Sequence, residues 1–209
     1  MFSGIVVDCG ELVACEPLGT GYQCVIRSEL CVADSQIGDS VSVNGICSTI
    51  TSMEADTFSV DYLEETKKRT TLADWTVGQR LNLELSLRPM DRMGGHVVTG
   101  HVDTVGQVID DTQNSKWREI TIAYPEAYRP YIVEKGSITI DGVSLTVVWT
   151  TPTAFQVHLI PHTVTHTNFT TIELNKSVNL EVDIMARYLY HFYTGESWHL
   201  VQYPMQSKR

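Results

Sequence analysis

The chain has 209 residues, and its 15 Lys and Arg against 25 Asp and Glu give a formal net charge of −10 at pH 7. This charge offers no basic stripe for phosphates and excludes a general nucleic-acid binder. The 43% hydrophobic and 19% charged residues are typical of a globular protein. No apolar stretch approaches the roughly 18 residues that span a bilayer, so no membrane segment is predicted. The start lacks basic residues and meets an acid at Asp8, which argues against a signal peptide, and we expect a soluble cytoplasmic protein.

The five cysteines are Cys9, Cys15, Cys24, Cys31 and Cys47. Because the count is odd and no pair is spaced CxxC, neither a disulfide framework nor a structural zinc site is expected. Most of them are expected to be small buried hydrophobic residues.

The strongest signal in the chain is an internal repeat. Residues 40–84 align without a gap with residues 137–181, and both stretches end on Asn-Leu-Glu. The start of the chain repeats as well, since Gly4 and its neighbours match Gly100 and its neighbours. A match of this length indicates a duplicated domain.

Each copy has the pattern of β structure. Short runs rich in Val, Ile and Thr alternate with polar residues, as in VSVNG, TFSVDYL and RLNLELSL. Asn44-Gly45 and Asp141-Gly142 are turn dipeptides that predict β-hairpins. A short helix is predicted after each TFSV or AFQV strand, where in the first copy acids from Glu64 onwards precede basic residues. Short, evenly spaced strands, repeated twice, predict two closed β-barrels.

The predicted boundaries follow the repeat. Pro and Gly between residues 89 and 95 separate an N-terminal barrel, residues 1–92, from a C-terminal barrel, residues 93–188. The tail, residues 189–209, has no counterpart in the first half, and an apolar, aromatic helical segment of one to three turns is predicted near its start. We expect this segment to pack on a partner subunit.

The two copies differ at the positions where chemistry is expected. Cys47 in the first copy aligns with Ser144 in the second, each two residues before a threonine. Hairpins at the mouths of two related barrels would hold these residues over two related pockets. The same spacing also fits two small residues that merely follow a turn.

Histidines and one acid are the other polar candidates. His96 and His101, in the glycine-rich run GGHVVTGHVD, can act as acid, base or hydrogen-bond donor, although a hinge with solvated histidines fits the same run. Asp183 stands at a predicted strand end, where it either bridges to Ser144 or His101 or faces water.

A metal site is not expected. His158, His162 and His166 recur every four residues, but Pro161 interrupts them and His158 belongs to a strand pattern, so the three cannot share one helix face. The chain also has no GxGxxG, Walker or GxSxG motif.

Several ordered motifs carry a family resemblance. MFSGIV at the start, NGxCxT at 44–49, GGHVVTGHVD at 94–103, KGS with IDGVSLTV, and HLIPHT at 158–163 are similar to riboflavin synthases. The resemblance covers about residues 1–188. It implies a mainly β fold of two tandem homologous six-stranded Greek-key β-barrels with a C-terminal helical tail.

The resemblance also implies an activity. Riboflavin synthases are homotrimers that need no cofactor and bind no metal. Two molecules of 6,7-dimethyl-8-ribityllumazine exchange a four-carbon unit and give riboflavin and 5-amino-6-(ribitylamino)uracil, the final step of riboflavin biosynthesis. The active site forms between the N-terminal barrel of one subunit and the C-terminal barrel of its neighbour. Lumazine synthase is a further candidate partner.

Carried over by position, the resemblance gives Cys47, His101, Ser144 and Asp183 as catalytic residues and leaves open which is the base and which the nucleophile. The acceptor lumazine is expected near Cys47 and the donor, whose C7 methyl loses a proton, near Ser144. Contacts to one lumazine are expected from Gly4, Ile5, Val6, Ser144, Leu145, Thr146, His158, Leu159, Ile160, Pro161, His162 and Thr163. Contacts to the other are expected from Cys47, Ser48, Thr49, Asp61, Tyr62, Leu63, Glu64, Glu65, Thr66, Gly100, His101, Val102 and Lys135. Ser40 is a further expected contact.

Two departures from the family pattern stand out. Ser48 replaces a residue that is usually apolar, commonly Leu, and is expected to alter packing only. Residues 194–209 do not resemble a long trimerisation helix, which bears on the subunit contact and not on the catalytic assignment.

A second function shares the duplicated fold, namely that of the non-catalytic lumazine- or flavin-binding antenna proteins. These relatives tend to lose the second pocket and the catalytic polar residues. Here Cys47, His101, Ser144 and Asp183 are all present, which favours the enzyme.

Overall fold

The computed structural model describes residues 1–114 and 116–195. Each half of the chain forms a closed six-stranded antiparallel β-barrel, which confirms the predicted fold class. The elements of the first half are β1 (Asp8–Leu18), β2 (Gly21–Arg27), α1 (Glu29–Ala33), β3 (Ser40–Val43), β4 (Ile46–Glu54), β5 (Thr57–Leu63), α2 (Glu64–Arg69) and β6 (Arg80–Leu85). Those of the second half are β7 (Thr104–Gln113), β8 (Arg118–Ala123), β9 (Ser137–Ile140), β10 (Val143–Thr150), β11 (Ala154–Leu159), α3 (Pro161–His166), β12 (Ser177–Val182) and α4 (Ile184–Thr194). Short 3₁₀ helices lie at Thr71–Asp74, Glu126–Tyr131 and Asn168–Thr171.

The two barrels have the same topology. Around the first barrel the strands follow the order β1-β2-β5-β4-β3-β6, and the second barrel repeats this order with β7 to β12. Because β2 lies beside β5 and not beside β3, the connection is a Greek key. The predicted hairpins β3–β4 and β9–β10 and the predicted short helices α2 and α3 are confirmed.

Each barrel has its own apolar core. Phe58 and Leu83 are fully buried in the first barrel, and Phe155 and Leu180 are fully buried in the second. Inward-facing residues alternate with outward ones along the strands, as expected for small barrels filled by side chains.

The joint between the barrels is polar. Asn82 Nδ2 donates to the Asp141 carbonyl at 2.9 Å and to Asn168 Oδ1 at 3.0 Å. Asn168 Nδ2 donates in turn to Asp141 Oδ2 at 2.9 Å, and Asn179 Nδ2 donates to the Asn44 carbonyl at 2.8 Å. Asn44 and Asp141 are equivalent hairpin residues, so the joint brings the two copies together around matching turns.

Asp141 makes this joint sensitive to pH. Burial raises the pKa of Asp141 from 3.8 to about 6. The folded protein therefore binds the Asp141 proton more tightly than the unfolded chain does. The stability gained from this proton is complete below the unfolded-state pKa and is lost as the pH rises through about 6. We expect the wild type to lose about 2 to 3 kcal/mol of unfolding free energy relative to Asp141→Asn between pH 4 and pH 7.

Urea unfolding of both proteins at the two pH values measures this difference. Asn44→Asp is the matched variant, because it places a second carboxyl in the equivalent turn and should destabilise more at pH 7 than at pH 4. A wild-type stability that rises with pH relative to Asp141→Asn would contradict the prediction.

One cysteine pair corrects the sequence analysis. Cys15 and Cys24 form a disulfide between β1 and β2, where they are direct register partners. Opposed residues of an antiparallel pair have Cβ atoms about 4.5–5.5 Å apart, which brings the sulfur atoms within reach. The register, which the Cys spacing does not reveal, decides the pairing. Cys9, Cys31 and Cys47 are free thiols.

The C-terminal helix begins earlier than predicted. α4 starts at Ile184, before the expected barrel boundary at Tyr188, and ends at Thr194, with Gly195 as its C-cap. The predicted departure from a long trimerisation helix concerns residues 194–209, and those beyond Gly195 lie outside the described residues. Within residues 1–114 and 116–195, no helix is long and apolar enough to cross a membrane.

Candidate active site

The segments that lead into the two barrels, residues 2–4 and 96–100, cross between the barrels. Phe2 and Val98 exchange backbone hydrogen bonds of 2.8 Å and 3.1 Å, and His96 N donates to the Ser3 carbonyl at 3.1 Å. This short ribbon places the start of the first copy against the second barrel and the start of the second copy against the first barrel. Each barrel mouth is therefore completed by residues from the other half of the chain.

Gly4 completes the mouth of the second barrel. Ser144 N donates to the Gly4 carbonyl at 2.8 Å, and Gly4 has φ 77°. A Cβ atom at Gly4 would lie 2.5 Å from Ser144 Cβ. Both the backbone conformation and the close approach therefore require glycine.

Gly100 does the same for the first barrel. Cys47 N donates to the Gly100 carbonyl at 2.8 Å, Gly100 also has φ 77°, and a Cβ atom there would lie 2.7 Å from Cys47 Cβ. The two mouths thus share one backbone design and differ in the side chain that it carries, a thiol in one and a hydroxyl in the other.

The first mouth opens into a cavity of about 290 Å³. Its lining residues are Ile46, Cys47, Glu65, Thr66, Arg69, Thr70, Gly100, His101 and Val102. The structure therefore brings together Cys47 and His101, as the sequence analysis predicted. A half-buried thiol and an exposed imidazole in one cavity can supply a nucleophile and a proton carrier.

The second mouth holds a hydroxyl–imidazole pair. His96 Nδ1 lies 2.7 Å from Ser144 Oγ, and His96 Nε2 lies 3.3 Å from Thr139 Oγ1. Burial lowers the pKa of His96, and the charges of Asp183 and Glu181 oppose that shift in part. The imidazole is therefore mainly neutral at neutral pH and can take a proton from or through Ser144. His96 and His101, which share the run GGHVVTGHVD, therefore lie at different mouths: His96 contacts Ser144, and His101 lines the cavity with Cys47.

Asp183 lies at the start of α4. Its carboxylate caps α4 by accepting a hydrogen bond of 2.9 Å from Met185 N. It does not hydrogen-bond Ser144 or His101 in the described part of the chain, and it reaches His96 through its charge alone.

Some predicted contact residues face the barrel interiors. Successive strand residues point to opposite faces, so Cys47 and Thr49 share the outer face of β4 while Ser48 is buried. Ser48 Oγ lies 2.7 Å from the hydroxyl of buried Tyr62, whose pKa is raised above its usual range by burial. Ser48 therefore has a polar partner in the core. Tyr62 and Leu159 are also buried, so any contact of these three residues with substrate is expected through the backbone.

The other predicted contacts of the first barrel lie on its surface. Asp61 accepts a hydrogen bond of 3.0 Å from Gln23 Nε2, and Glu65 pairs with Arg69 at 2.7 Å. Leu63 and Glu64, at the junction of β5 and α2, are exposed, and Ser40 is the register partner of Thr49.

In the second barrel, α3 presents predicted contacts to solvent. His162 and His166 lie on this helix with ring centroids 4.1 Å apart, whereas His158 lies on β11 and stacks on Trp117. This confirms that the three histidines do not share a helix face. Their surroundings in the described chain contain no group of three or more His, Cys, Asp or Glu placed to hold a metal ion. The exposed residues around the start of α3 are Ile160, Pro161 and His162, followed by half-buried Thr163.

Lys135 also belongs to the second barrel. Its backbone N–H donates to the Val147 carbonyl at 2.8 Å, so it lies beside Thr146 and Leu145 on that barrel. Lys135 and Cys47 therefore belong to different barrels, and their expected contact with one lumazine stays a prediction.

The two polar sets remain separate within a chain. Among the residues that the structure describes, no hydrogen bond or ion pair joins Cys47 or His101 to Ser144 or Asp183.

Comparison with known proteins defines the class and the family. The family described as "Lumazine binding domain" matches the chain twice, over residues 3–86 and 99–183. The riboflavin synthase of Photobacterium leiognathi is 39% identical over 190 residues, covering 90% of this chain and 87% of that protein. The riboflavin synthase of Actinobacillus pleuropneumoniae is 40% identical over 194 residues (92% and 89%), and that of Bacillus subtilis (strain 168) is 36% identical over 194 residues (92% and 89%). The chain therefore belongs to the riboflavin synthase family of duplicated lumazine-binding domains.

Solved structures agree on the fold. LumP complexed with 6,7-dimethyl-8-(1'-D-ribityl) lumazine superposes with a TM-score of 0.79, and LumP complexed with riboflavin with 0.80. Both are 23% identical to this chain and cover 87% of it and 99% of their own length. At this identity the match supports the double-barrel fold alone.

Proposed function

We propose that this chain is a riboflavin synthase that converts two molecules of 6,7-dimethyl-8-ribityllumazine to riboflavin and 5-amino-6-(ribitylamino)uracil. The observation that carries the proposal is the pair of equivalent mouths with different chemistry, Cys47 with His101 in one and Ser144 with His96 in the other. Two pockets of common origin suit two copies of one substrate. Their different side chains suit the different roles of donor and acceptor.

The second mouth is the better donor site. Transfer of the four-carbon unit requires a proton to leave the C7 methyl of the donor, and Ser144 with neutral His96 provides a base for it. The acceptor lies by Cys47, whose mouth supplies a thiol and His101 for addition at C7 of its ring. The two products together contain all atoms of the two substrates, so the exchange needs no oxidant or cofactor.

The donor base predicts a pH dependence. Only neutral His96 can accept the proton, and its pKa is lowered mainly by burial. We therefore expect kcat to be constant at neutral pH and to fall on acidification, with a midpoint below the ordinary histidine pKa. A pH–rate profile at saturating lumazine measures this limb, and His96→Gln should remove it. A kcat that rises on acidification through the same range would contradict the assignment.

The exposed face of α4 supports a subunit contact, as in a homotrimer with sites between subunits. α4 is held to its own barrel by an ion pair of Arg187 with Asp103 and by Tyr190 against Tyr131. Its opposite face exposes Met185 (58%), Leu189 (65%) and Phe192 (64%). Such an apolar stripe is suited to a subunit contact.

A direct assay separates the enzyme from a non-catalytic binding protein. The purified protein is incubated with 6,7-dimethyl-8-ribityllumazine alone, and the absorbance of riboflavin is followed. We expect riboflavin and the pyrimidine in equal amounts. Tight binding of lumazine without turnover would overturn the proposal in favour of an antenna protein.

A further inference from the structure

Two buried carboxylates occupy equivalent positions in the barrels. Glu84 on β6 and Glu181 on β12 end the Asn-Leu-Glu tripeptides of the repeat, and each is only 4% exposed. An acid is rarely buried without strong hydrogen-bond partners. Glu84 has no part in the chemistry proposed above, and Glu181 enters it only through its charge on His96.

Glu84 binds the start of the chain. Its Oε1 accepts hydrogen bonds from Ser3 N at 2.7 Å and from Ser3 Oγ at 2.8 Å, and its Oε2 accepts one from Gly4 N at 2.9 Å. Gly4 is the residue whose carbonyl receives the N–H of Ser144 in the second barrel.

Glu181 repeats this arrangement in the other direction. Its Oε1 accepts hydrogen bonds from Thr99 N and Thr99 Oγ1, both at 2.7 Å, and its Oε2 accepts one from Gly100 N at 2.9 Å. Gly100 receives the N–H of Cys47 in the first barrel.

We propose that Glu84 and Glu181 are positioning residues that act across the barrel boundary: Glu84 of the first barrel sets the Ser144 mouth, and Glu181 of the second barrel sets the Cys47 mouth. In each case a buried carboxylate fixes the loop that covers the mouth of the opposite barrel. The catalytic consequence rests on the proposed function, whereas the crossed control of the two mouths does not.

A local effect would give the opposite pattern. Glu84 is the register partner of Ser42, and Ser42 is the register partner of Cys47, so Glu84 lies two strands from Cys47 in the same sheet. Likewise, Glu181 is the register partner of Thr139, and Thr139 is the register partner of Ser144, so Glu181 lies two strands from Ser144. Damage that spreads through the sheet would therefore disturb the mouth of the same barrel.

Alkylation of Cys47 distinguishes the two patterns without any lumazine. Glu181→Gln replaces the acceptor for Gly100 N by an amide donor, so the loop should leave Cys47 and expose its thiol. We expect the rate of reaction with iodoacetamide to rise about fivefold, because the loop loses one hydrogen bond that stabilises it by about 1 kcal/mol. Glu84→Gln is the matched control and should leave the rate unchanged. Peptide mass spectrometry separates Cys47 from the other free thiols, Cys9 and Cys31.

A cysteine introduced at position 144 reports how accessible the second mouth is to alkylation. In a Cys47→Ser, Ser144→Cys protein, Glu84→Gln should accelerate alkylation at position 144 by a similar factor. Thr99→Val, which loosens the other loop but keeps the Glu181 charge near His96, should not. Ser3→Ala and Thr99→Val remove only the hydroxyl bonds to the two carboxylates and give a milder matched pair if a Gln variant fails to fold. They should show the same crossed pattern with smaller changes.

Circular dichroism melting of every variant checks that the barrels are intact. Equal rates in all folded variants, or faster alkylation in the barrel that carries the substitution, would overturn the proposal. Because these rates are measured without lumazine, they stand apart from the turnover assay, and either result can fail alone.

Discussion

Replacement of Ser144 by alanine is expected to lower kcat for riboflavin formation by about 10²- to 10⁴-fold, the range typical of general acid–base catalysis. The hydroxyl lies 2.7 Å from His96 Nδ1 at the proposed donor site, and alanine removes the contact while leaving the hairpin backbone. Steady-state assays with lumazine measure kcat, and fluorescence titration measures binding. Ser177→Ala, the same substitution on β12 of the same barrel, is the control and should turn over like the wild type.

His96→Ala is expected to have a similar effect, because Ser144 and His96 act as one unit. The double variant should then lose little more than either single variant, as found for residues that act together. Wild-type kcat in either single variant, or full additivity in the double variant, would contradict the pairing.

Replacement of Leu189 by aspartate is expected to dissociate the protein and to abolish most of its activity. The side chain lies in the exposed apolar stripe of α4, and a buried unpaired carboxylate at a subunit contact costs several kcal/mol. Sedimentation measures the subunit state, and the lumazine assay measures activity at the same concentration.

Met90→Asp serves as the control, since Met90 is an exposed apolar residue of the linker. It should remain assembled and active. A Leu189→Asp protein that stays oligomeric would contradict the predicted contact, and a fully active monomer would contradict a site shared between subunits.

Features with a local or periodic signature could be predicted from the sequence. The gapless repeat indicated two copies of one barrel, and Asn44-Gly45 and Asp141-Gly142 fixed the central hairpins because a two-residue turn has a strong sequence preference. The Cys47–Ser144 exchange between copies located both mouths. The short helices α2 and α3 followed from charge order and the repeat.

Features that depend on strand register or on contacts between distant parts of the chain could not be predicted from the sequence. The Cys15–Cys24 disulfide requires the β1–β2 register, and the assignment of His96 to Ser144 requires the ribbon that crosses between the barrels. The inward orientation of Ser48 was available from strand alternation with Cys47.

The role of Glu84 and Glu181 also left a signal in the sequence. An acid repeated within two apolar strands indicates a buried carboxylate with dedicated partners. What it binds follows only from the crossing of the two leading segments.

Co-expression of two inactive variants tests most directly whether the site is shared between subunits. Cys47→Trp blocks the first mouth and leaves the second intact, whereas Ser144→Ala has the reverse effect. If each site joins the Cys47 mouth of one subunit to the Ser144 mouth of its neighbour, randomly mixed trimers should recover about a quarter of wild-type activity. Mixed trimers that stay as inactive as either variant alone would contradict a site between subunits.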